Sequence, residues 1–284
     1  MSSYEAQLRA LAEAVEIVAP GLARVTDVRG GVRETAVAGE RGPFMGLAAA
    51  LYAARYNACE DASPALEDAT FLPALAGANV IPQRFTAAGP AQREGVTGPG
   101  GHYVIFGRPV VMAQSGRQVR FYWNLTSQGG APFVRAVGAA FERFRMPFQA
   151  KVPAHAGGYA RTDGGVLYLA DEDVDVACDA IEDVYGRVRP FLRDDVPLFA
   201  LGLAPGVAFA ESPPNGESFG MHRCDLVAEG LVRAHERGER DVAARVATVR
   251  ERLVEYGLDV ERLAFNPATR YPYRFPRFAA EAAA

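Results

Sequence analysis

The chain has 284 residues, 49% apolar and 23% charged, with a formal net charge of −4. Those proportions fit a globular chain with a substantial core and exclude a disordered one. So small a negative charge offers no global field to nucleic acid or an anionic membrane, so any anion site must be local.

Leu8, Leu11, Ala12, Val15 and Val18 recur at helical spacing as far as Pro20 and Gly21, which predicts an N-terminal helix. The same stretch carries Glu5, Glu13 and Glu16 and lacks the apolar core of a secretory signal. No apolar run approaches a membrane span. Residues 46–60 predict a second helix, and Ser63 with Pro64 reads as the N-cap and first position of a third. The Pro- and Gly-rich residues 82–101 form the best internal break. A helical region 1–90 and an α+β part 91–284 are therefore expected, or one continuous domain. The GPGG within the break lacks the Gly-Lys-Ser/Thr of a phosphate-cradling loop.

Beyond it, "HYVIFGRPVVM" and "QVRFYWNLT" are rich in β-branched and aromatic residues and predict strands. "APFVRAVGAAFERFR" predicts a helix with Pro132 near its start. "PFQAKV" and "GVLYLA" predict strands on either side of a loop from His155 to Asp163. Residues 171–192 predict a long helix, with acids first and arginines late as its dipole favours. Residues 217–238 and 240–257 predict two more, joined around Gly238. This order predicts an α+β fold, with a mostly antiparallel central sheet flanked by helices. Cys59, Cys178 and Cys224 are odd in number and far apart, fitting neither a disulfide framework nor a zinc spacing. They read as reduced thiols of a cytoplasmic protein without a metal.

Among 30 basic side chains, Lys151 is the single lysine. Coding bias toward arginine is one explanation. Chemistry is the other, because only an ammonium can give up its proton near neutral pH when its surroundings favour the amine. Lys151 ends a predicted strand and opens a loop with His155, Tyr159, Arg161 and Asp163, which is either a solvated turn or a site over a rigid sheet. In "ESFGMHRC", Ser218 is a plausible N-cap, and His222 and Arg223 fall in the first helical turn. Free amides there attract an anion; a surface pair between Arg223 and Glu217 is the alternative. Strand alternation puts Arg120, Tyr122 and Asn124 on one face and Val119, Phe121 and Trp123 on the other. The first set lines water, a ligand or an exposed edge. Residues 265–278 alternate aromatics with arginines and either wrap the body through cation–π contacts or grip an acidic peptide. No G-x-S-x-G elbow, HExxH helix, dinucleotide fingerprint or kinase set occurs.

Taken in order, "GPGGHYVIFG", "RFYWNLT", "PFQAKV", "YARTDGGVLYL", "APGVAFAE", "ESFGMHRCDLVAEGL" and "FNP", from about residue 97 to 267, resemble the HopA-type effector-like family. Members similar to this chain occur in bacterial clusters for class V lanthipeptides and thioamide-containing peptides, where they act after a separate phosphotransferase-like kinase. The effector branch includes members that bind a host protein. The resemblance implies a carbon–oxygen lyase of ribosomally made peptides. It would remove phosphate from phosphoserine or phosphothreonine of a precursor peptide, leaving dehydroalanine or dehydrobutyrine. It implies no cofactor and, as partners, the phosphorylated precursor and the kinase, with no nucleic acid and no membrane. By the same resemblance Lys151 is the base and His222 the general acid, with Tyr159 or Tyr122 orienting the phosphate or stabilising the enolate-like intermediate. Arg120, Arg161, Arg223 and the helix start at Ser218 bind phosphate, and Tyr122, Asn124 and His155 contact substrate. Better-known phosphothreonine lyases place a lysine and a histidine two residues apart; here Lys151 and His155 are four apart, so His155 is a rival acid. The other implied role is a non-catalytic module that recognises a leader peptide or partner protein.

Overall fold

Gly165–Ala170 (β10) is buried along its whole length, as only an inner strand can be. In a computed structural model it is the middle strand of a seven-stranded sheet. The structure describes residues 3–59, 69–86, 89–97, 101–108, 117–214, 216–267, 269 and 273–278.

The sheet runs β11 (Leu201–Ala204), β12 (Val207–Glu211), β8 (Gln118–Trp123), β10, β9 (Gln149–Pro153), β7 (His102–Phe106) and β6 (Glu94–Thr97). The ladders β8–β10, β10–β9, β9–β7 and β7–β6 are all antiparallel, and the chain is α+β as its pattern predicts.

By contact, the chain divides into two units. One holds residues 1–60, 197–201 and 210–270, the other 61–196, 202–209 and 271–284. This division by contact does not fall near residue 90. Residues 1–60 belong with the late helices, because their apolar faces need partners that arrive much later in the chain.

In the first unit the N-terminal helix is Ser3–Ala14 (α1), and Val15–Ala19 (β1) is a strand, not the helix's last turn. Val15, Ile17 and Val18 are β-branched, and Gly21 adopts φ +82, which only glycine takes without strain. The chain turns there into Leu22–Thr26 (β2), which pairs with Val32–Ala36 (β3). The N-terminal region is thus helical only in part. The second expected helix is an α-helix over Met45–Leu51 (α2) that loosens into a π-turn at Tyr52–Tyr56. The Ser63–Pro64 helix start lies outside the described residues. Two long helices complete the unit, Phe219–Glu236 (α6) and Val242–Glu255 (α7). They pack closely enough that a Cβ on Gly230 would stand 2.7 Å from the Val249 backbone.

The second unit carries most of the sheet. Phe121 and Trp123 point to the face where Gly130–Arg143 (α4) lies, the Trp123 ring tilted against that of Phe133 at 5.5 Å. Val174–Val188 (α5) packs against α4. Each such buried aromatic contributes roughly 1.5–3 kcal/mol. The C-terminal stretch wraps the body, chiefly by ring contacts: Tyr273 and Phe275 each lie 5.0 Å from Phe209, and Phe278 lies 4.6 Å from Tyr185. No helix among the described residues is long and apolar enough to cross a membrane.

Candidate functional site

Register decides which side chains share the second face of the sheet. Tyr122 pairs with Val166, which pairs with Lys151, which pairs with Val104. One step along lies the row Arg120, Tyr168, Gln149 and Phe106. On the other side His102 pairs with Pro153, two residues from Lys151. Paired residues in antiparallel strands share a face, so Arg120, Tyr122, Lys151, Tyr168 and His102 all project from the one opposite Phe121 and Trp123. Tyr168 is held between two cations, with Arg120 Cζ 5.4 Å and Lys151 Nζ 5.8 Å from its ring centroid. Arg120 and Tyr122 are buried.

The loop after β9 supplies the rest. Arg161 grips the Asp163 carboxylate with both arms of its fork, Nη2 donating to Oδ2 at 2.8 Å and Nε to Oδ1. Burial pushes the Asp163 carboxyl up, but Arg161 and, less strongly, Lys151 outweigh it and hold the group below its ordinary value. His102 feels the same groups. Burial first, then Lys151 and Arg161, press its imidazole down to about 4, against an opposing pull from Asp163. His155 adds to the same depression. Around one half-buried ion pair, Lys151, His102 and His155 have side chains that make no hydrogen bond and no ion pair with described residues. Uncommitted donors beside a fixed guanidinium can hold an oxyanion and move a proton. The sequence reading missed His102. Its signal was only its place as the first residue of a strand-like run, and the pairing of that run with "PFQAKV" needs the fold.

Five expected members of the site, in three places, serve the fold instead. Tyr159 is 1% exposed, donates its hydroxyl to Pro153 O at 3.2 Å, and has its phenol pushed well above the ordinary range by burial. It is closed in by Gly130, where a Cβ would come within 2.2 Å of the hydroxyl. That corrects its catalytic assignment. Asn124, 0% exposed, donates to Asp195 O at 3.0 Å and accepts from Arg193 Nη1. Arg193 Nη1 also bonds Leu125 O and Tyr159 O, tying this corner together. A substrate contact at Asn124 is thereby corrected as well.

The third correction concerns Ser218, His222 and Arg223, which belong to the first unit, whereas all the residues above belong to the second. Ser218 does precede the helix, its carbonyl accepting from His222 N–H at 2.9 Å, but its side chain makes no cap bond. Arg223 is 1% exposed, neither a surface partner of Glu217 nor open to a phosphate. Its Nε donates to Leu263 O at 3.0 Å, and Nη2 donates to Phe265 O at 3.0 Å and Asn266 Oδ1 at 3.2 Å. Its plane lies 4.8 Å over Phe219. Asn266 in turn binds Glu211 and Ser212 through its N–H and Nδ2, each at 2.6 Å. The most recognisable blocks of the sequence, "APGVAFAE", "ESFGMHRC" and "FNP", therefore meet in one buried polar staple.

His222 is part of it. Its Nδ1 faces Arg223 Nη1 at 2.7 Å and its ring meets Tyr256 edge-on at 4.7 Å. Arg223 can only donate, so Nδ1 accepts and the imidazole is neutral. Burial, then Arg223 and Arg252, lower its pKa to about 4. An imidazolium able to donate a proton near pH 7 is thus absent at this position. Unfolding frees the ring to protonate near 6.5, while the folded ring resists until about 4. Between those values the unfolded state binds more protons, so stability falls as pH drops through this window, by on the order of 3 kcal/mol. Urea unfolding from pH 7 to 4 should show this decline, to which His102 adds in the same window, and His222→Gln, which keeps an acceptor for Arg223, should make it markedly shallower without abolishing it. An unchanged slope would place the acid-sensitive group elsewhere.

Residues 99–265 match the HopA1 effector protein family. Two solved structures are similar in fold, both effector proteins of Pseudomonas syringae. That from pathovar tomato strain DC3000 is 20% identical, with a TM-score of 0.51, covering 74% of this chain and 87% of its own. That from pathovar syringae strain 61 is 15% identical, with a TM-score of 0.52, covering 75% and 87%. No curated protein sequence matches the chain.

Proposed function

From the premise that this chain belongs to the HopA1 effector protein family, we propose that it is a phosphoserine/phosphothreonine lyase acting on a phosphorylated precursor peptide. One observation carries this reading. The only lysine of the chain lies on the polar face of the sheet with no hydrogen bond or ion pair to described residues, beside two imidazoles and the Arg161 guanidinium.

The reaction needs a base, a cation and a proton donor. Lys151 takes the Cα proton, and the electron pair left behind forms the Cα–Cβ double bond. The Cβ–O bond breaks and phosphate leaves with its electrons, received by Arg161 and Arg120. A proton for the leaving oxygen comes from His155, which shares the loop with Arg161. His102, neutral near pH 7, donates a hydrogen bond and adds no charge. Dehydroalanine or dehydrobutyrine remains, with no redox change. Such a lyase works on the product of a peptide kinase, which gives this protein its place in lanthipeptide-type maturation.

The acid assignment has its own test. In single-turnover elimination, His155→Ala should be slowed about 10²-fold or more, as for loss of a general acid. His222→Ala should keep its chemical step once corrected for folded protein. The reverse result would return the acid role to the helix start. Binding of phosphopeptide without any elimination by the wild-type protein would favour the non-catalytic recognition module.

A further inference from the structure

A cavity of about 410 Å3 opens in the second unit where β7 ends and β9 begins. Ile81, Phe106 and Phe148 give it apolar walls, and Arg84, Arg93 and Arg108 line it with guanidiniums. Two of these are already neutralised. Arg84 is paired with Glu142, and Arg93 Nη2 with Glu94 at 2.9 Å while its Nη1 donates to Ile81 O. Arg108 is not: its Nε is buried without a hydrogen-bond partner, and the side chain forms no ion pair with a described residue. A buried donor left unmade is costly, and a charged one more so. Its backbone is well fixed, since Gly107 donates to Phe148 O at 3.0 Å and a Cβ on Gly107 would strike the Phe148 ring at 2.2 Å.

We propose that this cavity is a binding site for a carboxylate side chain of a peptide, an Asp or Glu flanked by an apolar residue. Three guanidiniums against two carboxylates leave one positive charge, which suits a monoanion better than a phosphate dianion. The fork of Arg108 takes the carboxylate, and the apolar neighbour lies against Phe106 and Phe148. Gln149 and Phe106, which line the cavity, form the cross-strand row next to that of Lys151. Rows on one face are two residues apart, roughly 7 Å. A peptide that leaves the cavity past Gln149 and Phe106, the lining residues that share the Lys151 face, would bring a residue a few positions away to Lys151. That last step deepens the lyase reading and rests on it; the carboxylate site does not.

The test uses three fluorescein-labelled decapeptides alike except at one central position, carrying Glu, Gln or phosphoserine between leucines, with affinity read by anisotropy. The Glu peptide should bind the wild-type protein about tenfold more tightly than the Gln peptide. That advantage should vanish in Arg108→Gln and weaken with salt. Equal affinity for the Glu and Gln peptides on the wild-type protein would overturn the proposal, whether or not the variant folds. So would a Glu advantage that survives Arg108→Gln. A phosphoserine advantage that survives Arg108→Gln, with none for Glu, assigns anion binding to the Lys151 cluster and also overturns it. A Glu advantage in a protein that eliminates no phosphate would sink the lyase reading alone.

Discussion

Lys151→Arg should fold normally and lose elimination of phosphate by roughly 10²–10⁴-fold, the range expected when a positioned base is removed. Lys151 sits between Val104 and Val166 in its cross-strand row, and among the described residues it has nothing to lose beyond its contact with Tyr168 and its charge near Asp163, which arginine keeps. Its removal is therefore a small structural change, expected to cost within about 0.5 kcal/mol. Arginine keeps the positive charge and can still attract a phosphate. What it cannot do is act as a free amine. The contrast to look for is a variant that binds phosphopeptide like the wild type, unfolds at the same urea concentration, and yields no alkene. Undiminished elimination would remove Lys151 from the role of base.

Arg223→Ala should show the opposite pattern, a large loss of stability. Truncation leaves Leu263 O, Phe265 O, Asn266 Oδ1 and His222 Nδ1 without their donor in a buried setting. Each buried acceptor left unsatisfied costs about 1–3 kcal/mol, so losing several at once is a large loss. Arg223→Lys should recover only part of it, because a single ammonium cannot span the carbonyls that the fork reaches. Urea unfolding measures both. A variant of near-native stability with selectively weakened phosphopeptide binding would restore Arg223 to the anion-binding role that its sequence position suggests.

That contrast shows what a sequence of this kind discloses. The inner strands were legible, since "GVLYLA" is Gly165–Ala170 and the alternation of Arg120 and Tyr122 against Phe121 and Trp123 is the real division of the sheet's faces. The late helices were legible from their periodicity and termini. Less so was the start of the chain, where Val15 and Val18 satisfy helical spacing but belong to a hairpin set by Gly21. Domain organisation was hidden because the units are discontinuous: residues 1–60 find their partners after residue 196. Around the site, Lys151 and Arg161 stood out by rarity and by loop position. His102 did not, because only the β7–β9 pairing brings it to them. The helix-start motif misled in the other direction. A conspicuous His-Arg pair is as useful for fastening three chain segments as for gripping an anion, and only burial tells the two apart.

The most direct measurement is mass spectrometry of a phosphoserine- or phosphothreonine-containing precursor peptide incubated with the purified protein, followed by a thiol. The proposed reaction predicts that the peptide loses the mass of phosphoric acid and then takes up one thiol per eliminated phosphate, and that Lys151→Arg does neither. Recovery of the intact phosphopeptide, or of a peptide whose phosphate has been replaced by a hydroxyl, would contradict it.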